Sequence, residues 1–69
     1  MADNIKKEYL ENQFLLDIHE ASVYTKLSTS YLYKLVARKG IPHSRLGYKI
    51  IFNKVDLDKW LEEKRVEVN

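Results

Sequence analysis

Sixty-nine residues are enough for one domain whose core sits close to the lower limit for independent folding. The chain has no cysteine, which excludes disulfides and thiolate metal sites, and it has no apolar run of membrane-spanning length. The formal net charge of +2 conceals a segregation. Residues 21–55 carry Lys26, Lys34, Arg38, Lys39, Arg45, Lys49 and Lys54 with no carboxylate, while residues 1–20 and 56–69 are each net acidic. Such a division gives a strong local field, and a phosphate backbone is its commonest counterpart.

Taken in order, residues 1–12 are polar and mixed in charge and read as a flexible tail or a frayed helical turn. A domain is expected over 13–66, with 67–69 as its C-terminal end. Phe14-Leu15-Leu16 is a short apolar run that fits a strand or an anchor under the first helix. Asp17, with Glu20 three residues on, forms a capping-box pair. Ile18, Ala21, Ser22 and Thr25 then follow at helical spacing, giving an amphipathic helix over 18–25.

Lys26-Leu27 leaves room only for a tight turn, with Leu27 pointing into the corner. The second helix has a marked start and stop: Ser28 as N-cap, and Gly40 as the left-handed residue beyond the last turn. Leu32, Leu35 and Val36 share one face, with Tyr31 at its edge. The opposite face carries Ser30, Tyr33, Lys34 and Ala37, flanked by Thr29 and Arg38. No carboxylate interrupts it, whereas solvated helix faces normally mix Glu with Lys. Two short helices joined by so few residues, the second one basic outside, make a helix-turn-helix.

After Gly40 the period shifts toward two. Ile41–Leu46 and Lys49–Phe52 flank Gly47-Tyr48 as a β-hairpin, with Arg45, Tyr48 and Lys49 around its tip and Pro42 near the start of the first strand. Asn53 caps a last helix, with Asp56 as its partner in a second capping pair. Val55, Leu57, Trp60, Leu61 and the stem of Lys64 are expected on its buried side, Trp60 at the centre of the core. Helix, turn, helix, two-stranded wing, helix is an α+β, mostly helical architecture: a small winged helix-turn-helix.

From Leu16 to Arg65 the chain resembles the excisionase-type DNA-binding domain, a winged-helix group related to the MerR regulators. The resemblance is carried by Asp17-Ile18-His19-Glu20-Ala21-Ser22, by Leu27–Leu35, by Gly40–Phe52 and by Asp56-Leu57-Asp58-Lys59-Trp60-Leu61. It implies a recognition helix in the major groove and a wing on an adjacent minor groove or its phosphates. Members of the family bend or coat DNA beside a recombination site, or regulate mobile elements. Two departures stand out. The family usually has Gly in the turn where this chain has Lys26, so the turn is expected to form without a free left-handed position. It often has Arg where this chain has Thr29 and Tyr48.

The expected DNA-binding residues are therefore Thr29, Ser30, Tyr33, Lys34, Arg38, Arg45, Tyr48 and Lys49. Tyr33 and Lys34 are placed to reach bases or phosphates, and Arg45 and Lys49 to reach phosphates or the minor groove. Arg38 also suits a helix C-terminus on macrodipole grounds alone. His19 and His43 lack a second ligand at metal spacing. Asp56/Asp58 and Glu62/Glu63 face different directions with no nucleophile beside them, and Gly40 and Gly47 do not make a phosphate loop. No catalytic residue, metal or cofactor is expected, and the chain reads as a non-enzyme.

Double-stranded DNA is the expected partner, together with a site-specific recombinase (an integrase) and further copies of the chain on DNA. The expected compartment is the bacterial cytoplasm, nucleoid-associated when DNA-bound, with no membrane. The function expected is that of an excisionase, or recombination directionality factor, of a mobile element. A small transcriptional regulator is the alternative, although MerR relatives carry a long dimerising helix after the wing and this chain stops at Asn69. A protein–protein adaptor on the same scaffold would instead show a large exposed apolar patch.

Overall fold

The structure, a computed structural model, describes residues 10, 11 and 13–65. The expected tail (other than Leu10 and Glu11) and the C-terminal 67–69 lie outside the described residues. Strand β1 (Leu15–Leu16) leads into α1 (Ile18–Thr25) and α2 (Thr29–Ala37), followed by β2 (Ser44–Leu46), β3 (Lys49–Asn53) and α3 (Lys54–Glu63). The architecture is a small winged helix-turn-helix, about half helical. In one respect it is richer than expected: the wing belongs to a three-stranded antiparallel sheet ordered β1-β3-β2. Leu15 pairs with Asn53 and Leu16 with Phe52, and the Lys54 N–H donates to Phe14 O at 2.9 Å, tying the start of α3 to β1.

The helix starts are built by the side chains named above. Asp17 Oδ1 accepts from the Glu20 N–H at 2.8 Å while Glu20 Oε1 accepts from the Asp17 N–H at 2.9 Å, a reciprocal capping box. Ser28 Oγ accepts from the Tyr31 N–H at 3.1 Å. Asn53 Oδ1 accepts from the Val55 N–H at 2.9 Å and the Asp56 N–H at 3.4 Å. The expected pair with Asp56 is one-sided, since Asp56 contributes only an acidic charge in the first turn.

The helix ends depart from expectation. Lys26 takes the left-handed conformation after all, with φ 64°, and its N–H closes on Ser22 O at 2.8 Å. Three further bonds hold this corner: Ser22 Oγ donates to Leu27 O at 2.7 Å, Thr25 Oγ1 donates to Ala21 O at 2.7 Å, and the Leu27 N–H donates to Thr25 Oγ1 at 3.3 Å. At the end of α2 the left-handed residue is Lys39, φ 56°, not Gly40. The Lys39 N–H donates to Val36 O at 3.0 Å and the Gly40 N–H to Leu35 O at 2.8 Å, the paired bonds of a Schellman motif. That pattern puts the left-handed turn one residue before the glycine.

Among the described residues the fully buried side chains are Leu10, Leu16, Ala21, Leu32, Phe52 and Leu57, joined by Ile18, Leu35, Val36 and Ile41. Leu10 is helical and 1% exposed, so the core reaches back past residue 13, where the domain was expected to begin. On α3 the deepest residue is Leu57, not Trp60. Trp60 is half-buried at the rim, where its indole N–H donates to Gly40 O at 2.8 Å, and Val55 is 47% exposed. Helical spacing gives the direction of a face but not the depth at which each residue on it lies.

Candidate nucleic-acid interface

Helix α2 buries Leu32, Leu35 and Val36 and leaves Ser30, Tyr33, Lys34 and Ala37 exposed, with Thr29 half-exposed. Since the inner face is fixed by three core contacts, the outer one cannot rotate away. The wing is fixed by its two-residue turn. Gly47 has φ +64° and Tyr48 does not share the positive sign, the pattern of a type II′ hairpin. This sets Arg45 opposite Ile50 and Leu46 opposite Lys49, and it leaves Tyr48 97% exposed at the tip.

A crevice of about 380 Å³ joins the wing to the helix pair: Tyr33 from α2, Tyr48, Lys49 and Ile50 from the wing, and Asp17 and His19 from the start of α1 all line it. The structure thus brings Tyr33, Tyr48 and Lys49 together on one side of the molecule. Arg45 shares its sheet face with Ile50, whereas Lys49 shares the other with Leu46, because cross-strand partners lie on one face and neighbours alternate. Arg38 goes elsewhere. As the C-cap of α2 it lines a separate groove of about 630 Å³ between α2 and α3, with Tyr31, Leu35, Trp60 and Lys64. His19, which is not among the expected contact residues, stands at the second position of α1 beside the crevice.

Electrostatically the basic stretch divides. Lys54 is absorbed into the fold: its Nζ lies 3.9 Å from Asp58 Oδ2 and 5.4 Å from the centroid of the Tyr24 ring. The Tyr24 hydroxyl donates to Asp58 Oδ1 at 2.6 Å. Burial, then the bond to Asp58 and the nearby carboxylate charges of Asp58 and Glu11, push the Tyr24 phenol up to about 12. The other ion pair among the described residues, Glu62–Arg65, is also on the acidic side of the chain. Lys26, Lys34, Arg38, Lys39, Arg45 and Lys49 have no ion-pair partner among the described residues, and all are exposed. Among those residues no cluster of His, Cys, Asp or Glu is grouped to hold a metal, and no helix is long and apolar enough to cross a membrane.

The family model described as a helix-turn-helix domain matches residues 15–65. The chain belongs to that family. It is a family of excisionase-like DNA-binding domains, and membership makes sequence-specific binding of double-stranded DNA the activity of this fold. Domains of this kind are typically non-enzymatic. No curated protein and no solved structure matches the chain. The match runs from β1 to just past α3 and so spans both α2 and the wing.

Proposed function

We propose that the chain is an excisionase, a recombination directionality factor that binds and bends attachment-site DNA so that a recombinase can excise a mobile element. In this reading Ser30, Tyr33 and Lys34 of α2 enter the major groove, with Thr29 at the edge of the contact on phosphates and Arg38, which lines the groove toward α3, outside it. Arg45, Tyr48 and Lys49 of the wing meet the neighbouring backbone or minor groove. Base edges are read by α2, and the wing supplies register and affinity. The recombinase and further copies of the chain are its partners on DNA, in the bacterial cytoplasm and at the nucleoid.

The observation that carries this reading is the uncompensated outer face of α2, continuous with the wing tip across one crevice. A side chain such as Tyr33, half exposed beside Lys34, has no task inside the fold. The test is a footprint and a bending assay on the element's own attachment DNA, with an excision assay run with and without the protein. Protected, bent attachment DNA and dependence of excision on the protein are expected. Protection confined to a promoter, with excision unaffected, would replace the excisionase by the transcriptional regulator.

A further inference from the structure

Among the described residues those at positive φ, glycine aside, are both lysines, Lys26 at 64° and Lys39 at 56°, one in the turn before α2 and one just past its C-cap. In this region the Cβ crowds the carbonyl, which is why glycine is the usual occupant and asparagine the next choice. The backbone bonds of both turns, Lys26 N–H to Ser22 O and Lys39 N–H to Val36 O, would form equally well with glycine. A lysine therefore adds strain at each site and nothing to the turn. Each cation suits the C-terminus of the helix it follows, but a basic residue in the last helical turn would do the same without strain, and neither lysine has a contact that repays it: both are exposed, with no ion pair and no side-chain hydrogen bond among the described residues. Strain kept at a position that does not need it points to a use outside the fold.

We propose that Lys26 and Lys39 are phosphate contacts that bracket α2, one at each end of the helix that enters the groove. The inference rests on the DNA-binding reading and extends it to two residues outside the expected contact set. A helix of nine residues rises about 13 Å at about 1.5 Å per residue, close to the roughly 12 Å width of the major groove. Lys26, two residues before the N-cap Ser28, and Lys39, one after the C-cap Arg38, lie just beyond those ends, with long side chains to reach backbone on either side. Their role is sequence-independent, adding affinity and fixing how far the helix reaches in.

The test uses opposite signs. Lys26→Gly and Lys39→Gly should each raise the melting temperature, by about 3–6 °C, because strain is released. On a duplex of mixed sequence, about 30 base pairs long, each should reduce the slope of log K against log salt by about 0.9. That corresponds to about eightfold weaker binding at 0.1 M than for the parent, with the two converging near 1 M. Lys26→Asn and Lys39→Asn, neutral but tolerant of left-handed backbone, should lose the same affinity. Lys26→Arg and Lys39→Arg should keep it. Glycine variants that melt higher yet bind with the parent's slope would overturn the inference and leave DNA binding standing. Glycine variants that melt lower would remove its premise. A parent that binds no duplex would sink the DNA-binding reading itself.

Discussion

Helices α2 and α3 are nearly equal in length, each starts on a side-chain cap, and yet they are finished differently. Helix α3 carries Asp56, Asp58, Lys59, Glu62 and Glu63 on its outside and settles two of these charges locally, Asp58 with Lys54 and Glu62 with Arg65. Helix α2 has one charged residue within its span, Lys34, with hydroxyls and an aromatic ring around it and no acid in reach. The inner faces differ as well, since α2 buries three residues and α3 only Leu57. A helix of mixed charge that sinks one residue fully into the core and rests Trp60 on its rim is a cover, complete in water. A helix wedged by three contacts, with an unmixed outer face, is held still to present that face. Rigidity and lack of charge compensation together mark the surface meant for a partner.

The largest expected effect tests how firmly the cover is held. Leu57→Ala should cost about 2–5 kcal/mol, as full burial implies, in a domain whose total stability is on the order of 5 kcal/mol. Trp60→Ala should cost less, about 2 kcal/mol, because the indole is only half-buried and the bond to Gly40 O is worth about 1 kcal/mol. Urea melts of the two variants rank them directly. If Trp60→Ala proves the more damaging, α3 is anchored at its far end and the contrast with α2 loses its basis.

A smaller effect separates α2 from the wing. Tyr33→Ala and Ser30→Ala should leave the fold intact, since both side chains are exposed, and should flatten preference among base sequences by about 1–3 kcal/mol. Arg45→Ala and Lys49→Ala should weaken every duplex alike and reduce the salt slope by about one each. Competition binding with specific and scrambled duplexes distinguishes the two patterns. Loss of preference in the wing variants with retention in the helix variants would exchange the roles of the two elements.

What the sequence disclosed follows from which signals are local. Asp17, Ser28 and Asn53 each act on amides within three residues, and Gly47 acts on its own turn, so these boundaries are legible in the chain. The outer face of α2 is legible because nothing acidic lies near it in sequence. Strand β1 is legible only as one of two readings of Phe14-Leu15-Leu16, because two residues are too few to show alternation and its pairing partner lies far along the chain. Leu10 is one of three scattered apolar points, with Ile5 and Tyr9, in a polar stretch, so its burial depends on packing that no periodicity records. The diversion of Arg38 toward Trp60, the arrival of His19 beside the wing, and the split of Arg45 from Lys49 all depend on how separate elements cross. The left-handed lysines are not legible: the missing turn glycine suggests a turn at Lys26 without a left-handed residue, and Gly40 stands as the left-handed end of α2, whereas the backbone gives that conformation to Lys26 and Lys39.

The smallest expected effect concerns the one cation of the basic stretch that the fold keeps for itself. Lys54, Tyr24 and Asp58 bind α1 to α3, and the Tyr24 phenol is raised from its ordinary 10 to about 12 by burial first and by Asp58 second. A raised phenol favours the folded state while protonated. Its contribution is complete below pH 10, where the unfolded chain also keeps the proton, and it is lost as the pH climbs toward 12. Tyr24→Phe should cost about 0.5–1 kcal/mol at pH 7, the net worth of one hydrogen bond. The gap between parent and variant should then close as the pH rises past 10 and change sign before pH 12, since every other titrating group is common to both proteins. Chemical denaturation of the pair at several alkaline pH values reads this difference. A gap that stays constant through pH 12 would mean the Tyr24–Asp58 bond contributes nothing to holding α3 in place. The local settlement of charge that distinguishes α3 from α2 would then be incidental to the fold.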